Sequence, residues 1–415
     1  MVALTLTDDQ QSAYESFVGF ISDPTAEVFV LSGYAGTGKS TLVNHIIDTL
    51  PNILQLASLI HRSAKEWELI LTATTNKAAQ ALHDIVHREV VTIQSALSLT
   101  VSKSWLTGES VLIPTGKTAT PEDAIVVIDE ASFIDQALLQ IILNTCKNCK
   151  IVFIGDPAQL APIKSQSTPV FSSGFIEAKL TKVVRQAEGN QIIKLATAFR
   201  DTVNTSEWFS FLPDGQAIHH MQRDDFDAAI EEEFTAPTWA YTDSKVLAWT
   251  NKAVIGYNQG IRALVAGEPD LQVGDYAVCN NYSTRKGKWS IKTDQIVYIS
   301  DVTPATQHGV DGFLVEMDSN KRAFMAKHQQ DVKKLLKQLK AKGSRGIATE
   351  IETEWVDLRA AYSCTINKSQ GSTYRKVFID LDDIKRCRTP NTVARLMYVA
   401  VSRASEQVIM TGDLV

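Results

Sequence analysis

The chain has no surplus of positive charge: 41 lysines and arginines against 47 aspartates and glutamates leave a formal net charge of −6 over 415 residues. That excludes a molecule coated in cations, although a locally basic or hydrogen-bonding channel remains compatible with it. Cysteine is scarce. Five are scattered at positions 146, 149, 279, 364 and 387, an odd number without framework spacing, which excludes a disulfide-stapled scaffold and fits a reducing cytosol. Cys146 and Cys149 form a lone Cys-x-x-Cys with no second pair or nearby histidine to complete a zinc tetrahedron, so they are read as buried thiols. His83 and His87 are four apart, but Asp84 follows the first where a zinc protease has glutamate, so they are read as helix-surface histidines. The first seven residues lack a basic leader, and no stretch is apolar enough to cross a bilayer, so a soluble, cytoplasmic protein with no membrane partner is expected. No internal repeat or low-complexity tract stands out.

What is present is apolar patterning in abundance, 44% of the residues, enough for two mid-sized domains. A helix over about 8–22 leads into the short apolar run 28–31 and then a glycine-rich loop, a strand-loop-helix unit. Further buried parallel strands are expected at 69–71, 125–128 and 151–154. A second α/β set follows at 245–249, 377–380 and 408–410, with helices near 250–265 and 391–404. Two stretches break the rhythm. Residues 100–122, with Trp105 and several glycines and prolines, suggest a projecting β-hairpin, and residues 273–320 read as short strands of a small β-barrel. The lysine-rich run 325–342 reads as a helix with a solvated face.

The loop Gly33-Tyr34-Ala35-Gly36-Thr37-Gly38-Lys39-Ser40, followed by Thr41, has the pattern G-x-x-x-x-G-K-S between a strand and a helix. Its backbone N–H groups and the helix N-terminus can converge on phosphate oxygens, Lys39 can reach the outer phosphates, and Ser40 can supply a hydroxyl to Mg²⁺. Asp129-Glu130 closes the strand at 125–128, where open α/β sheets bind ligands. Asp129 is the expected second metal ligand, and Glu130 is placed to orient and deprotonate an attacking water. Gln159, beyond the acidic turn of the strand at 151–154, is placed to touch a γ-phosphate. Together these predict an ATP-binding P-loop NTPase.

In order along residues 6–410, the chain resembles the superfamily-one DNA helicases of the B type, with RecD-like enzymes as wider relatives. The resemblance rests on 6–10 (Leu-Thr-Asp-Asp-Gln), 72–79 (Thr-Ala-Thr-Thr-Asn-Lys-Ala-Ala), 92–95 (Thr-Ile-Gln-Ser), 180–186 (Leu-Thr-Lys-Val-Val-Arg-Gln), 246–252 (Val-Leu-Ala-Trp-Thr-Asn-Lys), 365–372 (Thr-Ile-Asn-Lys-Ser-Gln-Gly-Ser) and 398–404 (Tyr-Val-Ala-Val-Ser-Arg-Ala). It implies that Gln10 reads the adenine base and that Arg185 and Arg403 act as arginine fingers. It assigns Thr75, Asn76, Lys77, Gln94, Thr250, Asn251, Thr365 and Ser369 to single-strand contacts, and Gln370 to the nucleotide cleft. The family usually has histidine where Asn367 stands; an amide can still donate there.

The implied fold is α/β, with two RecA-like parallel-sheet cores. The first spans 1–99 and 123–180, interrupted by a pin hairpin at 100–122. The second spans 181–272 and 355–415, with an SH3-like β-barrel and helical extension inserted at 273–354. The implied activity is ATP-dependent 5′-to-3′ translocation on single-stranded DNA and unwinding of forked duplex DNA in replication or recombination. A monomer, a phage-like origin, and a single-strand-binding or replication protein as partner are further expectations. Trp105 could stack at the duplex junction or simply pack the hairpin. Two rivals stay open: an RNA-directed or duplex-remodelling ATPase of the same superfamily, and a small-molecule phosphotransferase on the same loop, which would need no second core.

Overall fold

A computed structural model describes residues 5–61, 67–103, 110–114, 120–162, 168–182, 190–268, 270–285 and 288–414. The chain divides into two compact units, Met1–Asn190 and Gln191–Val415. In the first, strict alternation of apolar side chains builds a sheet buried on both faces. Phe29, Leu31, Ile125, Val127, Val152 and Ile154 enter one cluster, with Phe17, Leu42 and Ile47 from helices. Their sequence neighbours Val30, Val126, Ile128, Ile151 and Phe153 enter the opposite cluster, with Leu138 and Ile142. Both thiols of the Cys-x-x-Cys lie in that second cluster, and burial pushes the Cys146 thiol up to about 12.

The sheet has six strands, in the spatial order Val91–Thr92, Glu68–Ala73, Ala124–Asp129, Lys150–Gly155, Val28–Gly33 and Ile176–Leu180. Every pairing is parallel, so Gly33, Ala73, Asp129 and Gly155 all end on one edge. The helix Asp8–Ser22 begins with a capping box between Thr7 and Gln10, and the helix Lys39–His61 leaves the loop directly. Strands Leu99–Lys103 and Ser110–Pro114 pair antiparallel as a separate ribbon. Trp105 lies outside the described residues.

The second unit holds a five-stranded parallel sheet, ordered Ser363–Thr365, Ser244–Ala248, Tyr374–Asp380, Ala404–Thr411 and Ile218–Met221. Phe226, Phe234, Val246, Phe378 and Ile409 form one of its cores. Between two neighbouring strands of that sheet the chain departs into an antiparallel sheet, ordered Lys321–Ala326, Val310–Met317, Ile296–Gln307, Tyr276–Cys279 and Leu358–Ala360. Ala277, Cys279, Val297, Ile299, Val315 and Met317 fill its separate core. Helices Gln329–Ala341 and Arg345–Glu354 cover it through Phe324, Ile351 and Trp355. No helix among the described residues is long and apolar enough to cross a membrane.

Candidate nucleotide site and strand-contact segments

The loop between Gly33 and Lys39 is shaped by sterics before chemistry. A Cβ at Gly33 would sit 2.8 Å from the Thr37 hydroxyl oxygen and 2.9 Å from Leu180 Cβ, so only glycine fits the strand end. Gly36 and Gly38 take φ of 81° and 78°, conformations that L side chains avoid. Thr37 is buried, and its hydroxyl donates to the Tyr34 carbonyl at 2.9 Å, closing the loop on itself. Lys39 Nζ donates to the Gly33 carbonyl at 2.6 Å and to the Tyr34 carbonyl at 2.9 Å, which holds the ammonium inside the loop. Ala35 lies between these anchor points. Ser40 and Thr41 are exposed on the first turn of the helix, where unpaired N–H groups and the helix dipole favour an anion.

Gln10, expected to read a base, is buried. Its carboxamide oxygen accepts from the Thr7 N–H at 3.0 Å, and its nitrogen donates to the carbonyls of Thr37 at 3.4 Å and Gly38 at 3.3 Å. In this structure Gln10 therefore braces the phosphate loop. Contact with a base would require exchanging those bonds.

On the same sheet edge, Asp129 Oδ1 accepts from the Glu130 N–H at 2.8 Å. Burial pushes the Asp129 carboxyl above its ordinary range, opposed by that N–H and by the charge of Lys39. Glu130 is held at φ 53°, an uncommon conformation for a non-glycine residue. Its carbonyl accepts from the Phe133 N–H at 3.1 Å and from the Thr74 hydroxyl at 3.0 Å. Gln159 is buried in the turn beyond the strand Lys150–Gly155, its N–H on the Asp156 carbonyl at 3.2 Å. The first unit thus gathers Lys39, Asp129, Glu130 and Gln159 at the ends of parallel strands.

The residues assigned to single-strand contact share one local device. Thr75, Thr92, Thr250 and Thr365 each cap a helix, accepting from the N–H of Ala78, Ser95, Ala253 and Lys368 respectively. Asn76 and Lys77, Gln94, and Asn251 lie in the first turns of those helices. The tetrapeptide Thr-Asn-Lys-Ala occurs twice, at 75–78 and 250–253, and Thr-Ile followed by an amide also occurs twice, at 92–94 and 365–367. In each unit the Thr-Ile segment ends the outermost strand of the parallel sheet, and Thr-Asn-Lys-Ala follows its neighbour. These matches are too short and too widely spaced to stand out in the sequence, and their common sheet positions reveal the correspondence.

Within the second unit, Asp383 was missed by sequence reasoning. Its carboxylate accepts from the N–H groups of Trp249 and Thr250, both at 2.8 Å, and from the Thr250 hydroxyl at 2.7 Å. Ser369 is fully enclosed, its hydroxyl on the Ile366 carbonyl at 2.7 Å, which leaves no open surface for a strand contact in this conformation. Gln370 is buried beside it. Arg403 is also buried, donating to the carbonyls of Val399 and Ser372, both at 3.2 Å, and to the Ser402 hydroxyl at 2.8 Å. Among the described residues it meets carbonyl and hydroxyl acceptors and no carboxylate, a state suited to meeting an anion. Arg185 lies outside the described residues.

A family model described as an AAA domain matches residues 5–223, and one described as a UvrD-like helicase C-terminal domain matches residues 360–411. The chain belongs to the AAA-domain family, among the B-type superfamily-one helicases. An uncharacterized protein of Acanthamoeba polyphaga mimivirus is 22% identical to this helicase over 495 residues, spanning 96% of this chain and 98% of that one. The ATP-dependent DNA helicase dda of Enterobacteria phage T4 is 27% identical over 292 residues, 66% of this chain and 60% of the phage protein's length. Among solved structures, the Pif1 helicase at forked double-stranded DNA aligns at TM-score 0.52 with 17% identity, over 99% of this chain and 93% of that one. Bacteroides Pif1 with ADP-AlF3 and single-stranded DNA aligns at TM-score 0.50 with 16% identity and the same coverage. These likenesses establish the α/β, RecA-like parallel-sheet fold.

Proposed function

We propose that this ATP-dependent DNA helicase translocates 5′ to 3′ on single-stranded DNA and opens forked duplexes, in replication or recombination. The observation that carries the reading is the shared edge of the first sheet. The phosphate loop, Asp129-Glu130 and the capped Thr75 segment all issue from it, so phosphate chemistry and strand grip have a common support. The names of the relatives point the same way: the phage T4 protein is an ATP-dependent DNA helicase, one Pif1 structure concerns DNA unwinding at forked double-stranded DNA, and another is a complex with single-stranded DNA.

In this reading the loop N–H groups and Lys39 take the triphosphate, Gln159 senses its terminal group, and Glu130 orients the attacking water. The exposed Ser40 hydroxyl and the Asp129 carboxylate are hard oxygen donors that fit Mg²⁺, which supplies charge neutralisation at the phosphates. Arg403 of the second unit is assigned to the γ-phosphate during the cycle, with Arg185 as a second finger. The paired Thr-Asn-Lys-Ala and Thr-Ile segments are the grips, released in alternation as the terminal phosphate is lost. The antiparallel ribbon Leu99–Lys103/Ser110–Pro114 is the pin, Trp105 is assigned to the duplex junction on sequence alone, and the antiparallel sheet of the second unit is the SH3-like insertion. The working form is a monomer that meets a single-strand-binding or replication protein in the cytoplasm of a phage-infected host.

The test is phosphate release with and without single-stranded DNA, then unwinding of forks that differ only in overhang polarity. Stimulation by DNA and opening from a 5′ overhang are expected. Stimulation by RNA in preference to DNA, or exclusive use of a 3′ overhang, overturns the substrate or the polarity.

A further inference from the structure

Residues 327–345 carry seven cationic side chains and one carboxylate, Asp331, in a chain whose net charge is −6. Most of this charge lies on the helix Gln329–Ala341. Its apolar face, Val332, Leu335, Leu336 and Leu339, packs on Val310, Phe324, Ile351 and Trp355, which fixes the opposite face toward solvent. Lys340 pairs with Glu352 at 2.9 Å. Lys333, Lys334 and Lys337 are exposed and have no acidic partner among the described residues.

An ordinary solvated helix alternates signs at three- and four-residue spacing, because like charges there repel. Lys333 with Lys337, and Lys334 with Lys337, do the reverse. The repulsion is tolerated because the leucine face anchors the helix, and it is relieved when a polyanion covers the lysines. The exposed positions from Gln330 to Ala341 are lysine, glutamine, aspartate and alanine, with no aromatic ring on which an unstacked base could rest. Single-strand sites usually combine cations with aromatic platforms. A convex row of lysines without rings fits the continuous phosphate rows of a duplex, contacted without reading sequence.

We infer that the exposed face of this helix docks the phosphate backbone of duplex DNA, holding the unopened part of the substrate; the inference rests on the DNA reading above. The experiment compares the full chain with the triple variant Lys333→Gln, Lys334→Gln, Lys337→Gln, and with the corresponding triple arginine variant. Binding of a short blunt duplex is measured across a salt series, alongside hydrolysis stimulated by a short single strand. The glutamine variant is expected to lose about tenfold or more in duplex affinity at low salt and to flatten the slope of log affinity against log salt by about 2 to 3. Strand-stimulated hydrolysis and the circular dichroism spectrum are expected to stay unchanged, and arginine to restore duplex binding. Unchanged duplex affinity and slope would reduce the helix to a solvated face. An equal loss on single strands would assign the lysines to the other substrate, overturning the duplex. Absence of strand-stimulated hydrolysis in the wild-type chain would instead sink the DNA reading itself.

Discussion

The hydroxyl of Thr74 donates to the carbonyl of Glu130 at 3.0 Å. Thr74 directly precedes the Thr75 cap, and Glu130 is the carboxylate assigned to the attacking water, held at φ 53°. A shift of the capped segment on gripping a strand would therefore pull on the backbone that aims the Glu130 side chain. Thr74→Val keeps the bulk and removes the donor. Strand-stimulated turnover is expected to fall several-fold with KM for ATP unchanged, while stability drops by about 1 kcal/mol for one lost hydrogen bond. Phosphate release titrated with single-stranded DNA, beside a melting curve, checks this. A lowered melting temperature with full stimulation would make the bond purely structural.

Lys39 is expected to matter for rate and not for folding. Its ammonium rests on two partly buried backbone carbonyls, and the Tyr34 carbonyl keeps the Thr37 hydroxyl and N–H as donors when the side chain is gone. Lys39→Ala should cost about 10²–10³-fold in hydrolysis, the range for removing one donor to developing charge, with an unchanged circular dichroism spectrum. Gly33→Ala should behave in the opposite way, because the added methyl meets Leu180 Cβ at 2.9 Å and must displace the loop before any nucleotide arrives. Retained turnover in Lys39→Ala would remove the lysine from the mechanism.

The phosphate loop and its strand were legible because the pattern is local: an apolar run, glycines where L residues do not fit, then a helix. The opening helix was legible by period, and its span, Asp8–Ser22, agrees with the expected one. The bracing role of Gln10 is not legible in the sequence, because its carboxamide nitrogen meets carbonyls 27 and 28 positions away. Strand Ile176–Leu180 was not anticipated, for its edge position exposes Ile176 and Glu177 and leaves only two of its five residues buried. Strand Ile218–Met221 carries two histidines and a single buried residue, a poor signal in any window. The correspondence of the Thr250 and Thr365 segments to those of Thr75 and Thr92 was hidden because the strands of the second pair are neighbours in the sheet while a whole antiparallel sheet separates them in sequence. Asp383 has no motif around it. Its role arises from a turn closing over residues more than a hundred positions away.

Asp383 positions the Trp249–Thr250 turn, the segment proposed above as a grip. Three donors converge on its carboxylate, two backbone N–H groups and the Thr250 hydroxyl. Asp383→Ala leaves them unsatisfied at a half-buried site, at a cost of about 1–3 kcal/mol, and frees the Trp249–Thr250 turn. The single-strand concentration giving half-maximal stimulation should rise several-fold, while the maximal rate at saturating DNA stays near wild type. A fall in maximal rate with unchanged half-saturation would place Asp383 in catalysis instead of grip.

Asp9 offers a pH-dependent counterpart in the first unit. Its Oδ2 accepts from the Thr181 N–H at 2.9 Å, the Lys182 N–H at 2.8 Å and the Thr181 hydroxyl at 2.8 Å, tying the start of the opening helix to the end of the last strand. The Thr181 N–H foremost, then the Lys182 N–H and the Thr181 hydroxyl, hold the carboxyl below its ordinary range. A depressed value in the folded state means that the ionised form is the bound one. Its contribution is therefore complete above the unfolded value of about 4 and is lost as pH falls through the lower folded value. Asp9→Asn should lower the melting temperature at neutral pH, and the gap from wild type should close on acidification below about pH 4. Melting curves of both proteins across that range decide the point: a gap that is constant with pH would mean that the side chain's shape, and not its charge, holds residues 181 and 182.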